Sequence, residues 1–365
     1  MRILGFLISM FLLSPQAFAW PPLFGPEVEF TNSEMSAESR AAGGATVNVA
    51  SAVAAQRAMR DKVKALCLVA PRCQIKSATN SYGVTVYRVT FSDGWWFQVS
   101  TDPGVVELQF APATLKGFKK RQALLKTHVY DVAEELGLHV DVESGANHLH
   151  LDLAETFGGN ALLFRNFLVD WFNHSLVLQR ILNGDLYNSP PISAQSLESR
   201  HAFKAAIEAF DRGEIKTIEA LSRKILDEVY STTYSGWNPP EKYQAINLTR
   251  VFARNAGART VEMRAVRSAE SAEGLLLQMT LIENHIKWLK TQRQPIPLNL
   301  ERVEKGTLRE LLESSCMEFL DLIGKIGMTY SDFGPIMNGS RKRACDRVAG
   351  VQASVSACDP ALFRD

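Results

Sequence analysis

The sequence predicts an α+β fold, in which a largely antiparallel sheet has a concave polar face and carries its helices on the other face. Three observations support this prediction. Short runs of alternating apolar and polar residues predict strands, and two of these runs flank a hairpin signal, Ser92-Asp93-Gly94. Longer segments repeat apolar residues every three or four positions, as amphipathic helices do. Four of the predicted strands also pair an apolar face with a face rich in acids and histidines.

The predicted elements follow one another without internal repeats or a long linker. The predicted strands are 23–31, 84–91, 95–100, 105–110, 138–142, 148–153, 243–248 and 260–265. The predicted helices are 51–68, 115–136, a buried helix from about 159, the region 197–230, and two closing amphipathic helices around Ile282 and Cys316. A loop rich in Ser, Ala and Gly is expected up to about Thr46. We expect one domain over 20–330 and an irregular tail over 331–365.

The N-terminus is typical of a secretory signal peptide. A single charge, Arg2, precedes the apolar run 3–13, and Ala17-Phe18-Ala19 provides an A-x-A cleavage site. The run is too short to cross a bilayer, which takes about 20 apolar residues. We therefore expect cleavage after Ala19, so that 1–19 is removed and the protein is exported, either periplasmic or secreted.

Charge and hydropathy exclude two other classes of protein. The chain has 40 Lys and Arg against 39 Asp and Glu, a net charge of +1, whereas dedicated nucleic-acid binders usually have a basic excess. The most apolar later stretch, 161–182, contains four titratable residues and predicts a buried helix. We expect neither a nucleic-acid partner nor stable membrane insertion.

The five cysteines suit an oxidising compartment in part. Cys67 and Cys73 flank a turn, and Cys345 and Cys358 flank a loop in the tail, so either pair could close a short disulfide loop. Cys316 would then be the cysteine left outside these two pairs. Because it lies on the apolar stripe of a predicted helix, we expect it to be a buried, inert thiol.

Chemically functional residues concentrate on the polar faces of four strands, because residues i and i+2 of a strand share a face. These faces carry Glu27 and Glu29, Glu107 and Gln109, His148, His150 and Asp152, and Glu262 and Arg264. Lys, Ser and Thr, which are common on ordinary solvent-facing sheets, are missing from these faces. A solvated surface of a one-sided sheet remains an alternative interpretation. The composition instead favours the floor of an active site.

Such a group of carboxylates predicts a divalent cation. Neighbouring carboxylates repel one another and raise each other's pKa, and a cation removes that conflict. Hard oxygen ligands favour magnesium or manganese. His148 and His150 would add nitrogen ligands or phosphate donors, although two histidines on one strand are often only hydrogen-bonded.

Several common catalytic motifs do not occur in the sequence. It lacks the helical zinc-protease motif, the two glycine-rich nucleotide loops and the serine-hydrolase elbow. Any nucleotide would therefore be held through metals and arginines, which cluster as Arg250, Arg254, Arg259, Arg264 and Arg267. Arg264 is the best candidate, because it shares a strand face with Glu262. Asn166, Asp170 and Asn173 form a polar stripe on the buried helix, which either meets the site or faces solvent.

The strand motifs together resemble the amidoligase family, a branch of the carboxylate–amine ligases with a glutamine-synthetase-like catalytic fold. In order, the matching segments are FGPEVEF (24–30), VELQFAP (106–112), GANHLHLD (145–152), YQAINL (243–248) and RTVEMR (259–264). They are similar to the family's Gly-x-Glu-x-Glu-Phe, Glu-x-x-x-x-Pro, His-x-His-x-Asp, Asn-bearing and Thr-x-Glu-x-Arg strands. The resemblance extends from about residue 23 to 290 and makes 20–330 an amidoligase-like catalytic domain.

The resemblance implies ATP-dependent amide-bond formation between a small-molecule or peptide carboxylate and an amine, through an acyl phosphate, with magnesium or manganese as cofactor. By position it implies Glu27, Glu29, Glu107, His148 and Glu262 as metal ligands. It implies Arg264 as the phosphate clamp, His150 as a catalytic or nucleotide contact, and Arg259 and Asn247 as further nucleotide contacts. Members of the wider fold associate, so the resemblance leaves open whether this protein forms an oligomer.

Export raises an alternative to ligation, because an exported protein meets little ATP. The site could belong to a ligase delivered to a place that contains ATP. It could instead perform metal-assisted hydrolysis of amide bonds, for instance in cell-wall peptides, or bind anionic peptides or sugars without catalysis. Nucleotide binding separates the first possibility from the second.

Overall fold

The computed structural model describes eleven segments of the chain. They are 21–42, 49–69, 71–80, 83–102, 104–140, 146–177, 189–232, 244–255, 258–300, 308–336 and 339–356. The predicted signal peptide, 1–19, lies outside the described residues, so its prediction stays untested.

A single antiparallel sheet organises the described part of the chain. Its strands are β1 (Leu23–Thr31), β2 (Cys73–Thr79), β3 (Thr85–Phe91), β4 (Trp96–Asp102), β5 (Val105–Phe110), β6 (Ala113–Thr114), β7 (His139–Val140), β8 (Ala146–Asp152), β9 (Ile246–Asn247) and β10 (Thr260–Arg267). Their order across the sheet is β2-β3-β4-β5-β1-β8-β10-β9, with β6 and β7 also pairing with β1. The long-range pairing of β1 with both β5 and β8 places the N-terminal strand in the middle of the sheet.

Sequence alternation determines which face of each central strand is covered. Val28, Leu108, Leu149 and Val261 are at most 2% exposed and share the apolar face. Their neighbours in sequence, including Glu27, point to the opposite face. The helix Ala50–Leu66 packs on this apolar face at β4 and β5, which places the core between the sheet and the helices.

The helices enclose the apolar face and extend beyond it. They are α1 (Ser33–Ala41), α2 (Ala50–Leu66), α3 (Leu115–Lys119), α4 (Gln122–Leu125), α5 (Asp131–Glu135), α6 (Leu153–Phe157), α7 (Ala161–Asn173), α8 (Leu197–Asp211), α9 (Ile218–Glu228), α10 (Ala272–Thr291), α11 (Leu308–Lys325) and α12 (Gly339–Ser356). Side-chain caps begin several of them; for example, Asn160 accepts a hydrogen bond from the Leu163 amide at 2.9 Å at the start of α7.

Two local predictions were wrong near the first strand. The segment expected to be a loop up to Thr46 contains α1, because Asn32 caps the Met35 amide at 2.9 Å and Met35 is fully buried. The edge strand β2 was not predicted, since its outward residues are polar and its seven residues contain few strong strand formers. Residues 43–48, the rest of the predicted loop, are outside the described part of the chain.

The helix predicted over 115–136 is interrupted. α3 ends at Lys119, Arg121 leaves helical geometry with φ −107° and ψ 9°, and a π-helical turn, Lys126–Tyr130, separates α4 from α5. The predicted apolar positions Phe118 and Leu125 are nonetheless fully buried. Periodicity therefore identified the buried face but not the interruptions, since a π turn adds one residue to a helical turn.

The C-terminal region is more regular than expected. Within the tail predicted to be irregular over 331–365, the described residues form a 3₁₀ helix, Tyr330–Ile336, and the 18-residue α12, while 357–365 lie outside the described part of the chain. The predicted Cys67–Cys73 disulfide is confirmed. The pairing of Cys345 with Cys358 was wrong, as was the inert thiol at Cys316, because Cys316 pairs with Cys345.

This second disulfide follows from helix packing. The stripe that carries Cys316 faces α12, and both cysteines are fully buried there with their Cα atoms 5.0 Å apart. Sequence spacing favoured pairing Cys345 with the nearer cysteine, Cys358, and could not show that Cys316 lies against Cys345. Cys358 lies outside the described residues.

The α+β prediction is confirmed: the sheet is antiparallel, its apolar face carries helices, and its other face carries the polar residues. In the part of the chain that the structure describes, no helix is both long and apolar enough to cross a bilayer.

Candidate functional site

The strand register brings the predicted polar residues together at the centre of the sheet. Glu27 lies opposite Gln109 on one side and His148 on the other, while Glu29 lies opposite Glu107. Further along the sheet, Glu262 lies opposite His150 and, on its other side, Asn247. Five strands that are far apart in sequence thus contribute to one polar cluster.

Glu27 and the two histidines form the middle of this cluster. The Nδ1 atom of His148 lies 3.0 Å from Oε2 of Glu27, and Nε2 of His150 lies 3.3 Å from Oε1 of the same carboxylate. The second ring nitrogen of His150, Nδ1, is 3.1 Å from Oγ1 of Thr260. The Glu27 carboxylate therefore holds both imidazoles in fixed orientations.

Glu262 anchors the neighbouring part of the cluster. Its Oε1 accepts a hydrogen bond of 2.6 Å from a terminal nitrogen of Arg264, and its Oε2 accepts one of 2.6 Å from Asn247 Nδ2. Asn247 is oriented in turn by Thr249, whose amide and hydroxyl donate to its Oδ1 at 2.9 and 2.7 Å. Such a buried, charge-assisted pair fixes the position of the guanidinium.

Opposite charges balance within this half of the cluster. Burial acts to raise the pKa of Glu27, but the charge of His150 and hydrogen bonds from both histidines outweigh it and lower that pKa well below its usual range. Burial likewise acts to raise the pKa of Glu262, which His148, Arg264 and His150 together lower. Both carboxylates are thus stabilised as anions.

The two histidines differ in charge preference. Burial and the neighbouring Arg264 charge lower the pKa of His148. Burial also acts to lower the pKa of His150, but the Glu27 and Glu262 carboxylates outweigh it and raise that pKa. Relative to a free imidazole, these shifts favour the neutral form of His148 and the protonated form of His150. With Nδ1–H of His148 directed at Glu27, its Nε2 carries the lone pair that a metal ligand needs.

The other half of the cluster brings three carboxylates together. Carboxylate oxygens of Glu29, Asp102 and Glu107 lie within 4.8 Å of one another. Burial raises the pKa of Glu107 well above its usual range, and the charges of Glu27, Asp102 and Glu29 raise it further. Hydrogen bonding from Ser100, at 3.2 Å, acts to lower it but does not outweigh these effects. This half is therefore suited to receive a cation.

A row of amides connects this acidic half to the far end of the sheet. Gln109 Nε2 donates a hydrogen bond of 2.7 Å to Glu107 Oε1, and Gln98 Nε2 donates to Gln109 Oε1. Arg88 donates to Gln98 Oε1 at 3.2 Å. Donors are thus directed along the row toward the carboxylates.

One predicted site residue lies elsewhere. Arg259 precedes β10, its Nε donates to the Ala253 carbonyl at 3.2 Å, and its guanidinium lies 3.6 Å from Glu219 on α9. Its side chain is 42% exposed. Being one position outside the strand, it does not join the cluster, and its predicted role as a nucleotide contact stays a prediction.

Sequence reasoning missed Asp102, which completes the acidic group. It lies in Asp102-Pro103-Gly104, a pattern that signals a turn, where aspartate usually bonds its own backbone. The i, i+2 spacing could have identified Asp102, because Gln98, Ser100 and Asp102 lie on one face of β4, which pairs with β5.

The polar stripe of α7 contacts other parts of the chain than the polar cluster. Asn166 and Asn173 bond the backbone of the segment 294–299, and Asp170 lies 2.7 Å from Nε2 of His285 on α10 and 3.3 Å from Nδ1 of His174. Asn166 and Asp170 are buried, so for these two residues neither predicted alternative, the site or solvent, is correct. The stripe joins helices.

Comparisons with known proteins add only distant likenesses. No family model and no curated protein matches the chain. Two solved structures of GmaS resemble it, one without ligand (TM-score 0.37, covering 70% of that chain) and one in complex with ADP (TM-score 0.39, covering 71%). Each covers 93% of the present chain at 13% identity.

Proposed function

We propose that this protein is an ATP- and magnesium-dependent carboxylate–amine ligase. The observation that supports this function best is the division of the polar face. One half holds three carboxylates, Glu29, Asp102 and Glu107, whose oxygens lie within 4.8 Å of one another, and the other holds anions beside His150 and Arg264. Phosphoryl transfer needs a cation and a positive clamp side by side, and little other chemistry from the protein. The resemblance of the strand motifs to the amidoligase family points to the same reaction.

The acidic half fits magnesium by the chemistry of its donors. Glu29, Asp102 and Glu107 offer hard oxygen ligands, which magnesium and manganese prefer. Glu27, Glu262 and His148 Nε2 would offer ligand atoms to a second ion. When bound, magnesium would neutralise charge on the triphosphate and the reacting carboxylate.

In the proposed reaction, one oxygen of the substrate carboxylate forms a bond to the γ-phosphorus of ATP, and the bond from that phosphorus to ADP breaks. The amine nitrogen then forms a bond to the acyl carbon, phosphate leaves with the C–O bond electrons, and the nitrogen loses a proton. Arg264, held by Glu262, orients and neutralises the transferred phosphoryl group. His150, held between Glu27 and Thr260, places its imidazole beside the reacting groups and would stabilise negative charge there.

Calorimetric titration with a non-hydrolysable ATP analogue tests the proposal. We expect binding that requires magnesium and is lost in Glu107→Gln and Glu262→Gln. Glu219→Gln is the matched control, because it removes an exposed carboxylate from α9 and should bind normally. Magnesium uptake without any nucleotide binding in the folded protein would contradict ligation and favour amide hydrolysis at the same metal site.

A further inference from the structure

The polar face continues beyond the acidic half toward the β2 edge of the sheet, and its charge reverses there. One row of residues in register crosses β2, β3, β4, β5 and β1: Lys76, Arg88, Gln98, Gln109 and Glu27. The row begins with two cations, passes two neutral amides and ends at a carboxylate of the site. Side chains opposite one another in this way share a face of the sheet.

The two cations are placed unfavourably for the protein alone. Lys76 and Arg88 lie directly opposite each other, and like charges at such positions destabilise a sheet. Among the described residues, neither has a carboxylate partner, and Lys76 has no hydrogen bond. Both are exposed, while Gln98 and Gln109 are half-buried, so the row is accessible from this end. An anion between the two cations would relieve the repulsion.

Arg88 is also held in a defined orientation. Its guanidinium carbon lies 4.1 Å from the ring centre of Trp96, and a terminal nitrogen donates to Gln98 at 3.2 Å. Stacking on an aromatic ring and one fixed hydrogen bond reduce the entropy that an arginine loses on binding a ligand. A planar group such as a carboxylate matches the remaining donors.

Strand spacing gives the distance between the two regions. Neighbouring strands lie about 4.8 Å apart, so Arg88 on β3 is about 10 Å from Gln109 on β5 and about 12 Å from Glu107, two residues further along β5. An extended peptide rises about 3.4 Å per residue, so three residues together with a terminal carboxylate span this distance. The amide row between the two regions offers hydrogen-bonding groups suited to a peptide backbone.

We propose that the Lys76–Arg88 pair binds a second carboxylate of the substrate, and that the substrate is an acidic peptide about three residues long. Resting on the proposed ligase function, this assignment places the reacting carboxylate at the cation site and the second carboxylate at the cationic end of the row. A substrate with one carboxylate would leave the cation pair uncompensated and bind more weakly.

The test uses two peptides that differ in one carboxylate. Acetyl-Asp-Gly-Gly has two carboxylates near the required spacing, and acetyl-Asn-Gly-Gly has one. Calorimetric titration of the full protein in magnesium, without nucleotide, should show the aspartyl peptide binding about ten-fold or more tightly. Inserting one or two further glycines tests the spacing and should weaken the preference.

Two variants test whether Arg88 is responsible for the preference between the two peptides. Arg88→Gln should remove the preference for the aspartyl peptide, whereas Lys62→Gln, which removes a cation from α2 on the other side of the sheet, should keep it. Equal affinities for the two peptides, no binding of either peptide to the magnesium-loaded protein, or an undiminished preference in Arg88→Gln would each overturn the proposal.

Titration of the same variants with the ATP analogue distinguishes a failure of this inference from a failure of the proposed function. Arg88→Gln should bind the ATP analogue as the unsubstituted protein does. If Arg88→Gln weakens analogue binding instead and leaves peptide binding unchanged, the pair contacts phosphate and the inference fails while ligation stands. If no variant binds the analogue but the peptide preference depends on Arg88, ligation fails and the second-carboxylate subsite stands.

Discussion

Glu107→Gln should change the stability of the protein in opposite directions with and without magnesium. In the metal-free protein, burial and the nearby charges of Glu27, Asp102 and Glu29 disfavour the ionised Glu107. Glutamine has almost the same shape, and its amide oxygen can still accept hydrogen bonds from Ser100 and Gln109. The substitution therefore removes repulsion without opening a cavity.

The magnitude follows from the linkage between pKa and stability. Each unit by which folding raises the pKa of a carboxyl costs about 1.4 kcal/mol when the group is ionised. Because the pKa of Glu107 is raised well above its usual value, we expect Glu107→Gln to stabilise the metal-free protein by on the order of 1 kcal/mol at pH 7. Magnesium at 100 times its dissociation constant should stabilise the unsubstituted protein by about 2.7 kcal/mol, and this increment should disappear in the variant.

The pH dependence carries the same sign. A carboxyl whose pKa is higher in the folded than in the unfolded state contributes stability that is present below its unfolded pKa. That contribution is lost as the pH rises toward the folded pKa. Metal-free protein should therefore lose stability as the pH rises above the unfolded value of 4.5, and Glu107→Gln should lose less.

Urea unfolding of both proteins, with magnesium and with chelator, measures these quantities. Glu219→Gln is the control for the loss of one exposed carboxylate and should keep the magnesium increment. A variant that is less stable than the unsubstituted protein in chelator, or that keeps the full magnesium increment, would refute the assignment of Glu107 to a cation site.

Three further predictions concern other parts of the molecule. Arg264→Lys keeps the charge but loses the planar guanidinium, one terminal nitrogen of which bonds Glu262, so calorimetry should show ATP-analogue affinity reduced about ten-fold or more; unchanged affinity would assign the phosphate to another group. Asp170→Asn removes the anion that contacts His285, whose pKa burial lowers, and should cost about 1.5–3 kcal/mol in urea unfolding at pH 7; a cost below about 0.5 kcal/mol would contradict this buried contact. Because folding lowers the pKa of Asp170, its contribution to stability should be present above the unfolded value of 3.8 and decline as the pH falls below it. Cys345→Ser should cost about 3–4 kcal/mol, since the bridge closes a loop with a sequence separation of 29, and peptide mapping should find Cys316 linked to Cys345; a Cys345–Cys358 peptide would contradict the structure.

The sequence was sufficient to predict the type of fold and most of the central cluster, because both depend on local alternation. The i, i+2 pattern assigned Glu27, Glu29, Glu107 and Glu262 to polar faces before any pairing was known, and the register then brought those faces together. The boundaries of the strongly periodic helices were also close, since an apolar stripe and a cap are properties of neighbouring residues.

Only the tertiary structure decided how the cluster divides and what surrounds it. Charge balance depends on distances between strands: Glu27 is paired with two histidines, while Glu107, two strands from β8, is surrounded by acids. Asp102 was missed for the same reason: its sequence context predicts a turn, and only the strand pairing shows that it lies beside Glu107. The disulfide partner of Cys316 was also missed, because it depends on how α11 packs on α12. A sequence pattern specifies which way a side chain points within its own element, but its neighbours across the sheet or between helices are set by packing over long range.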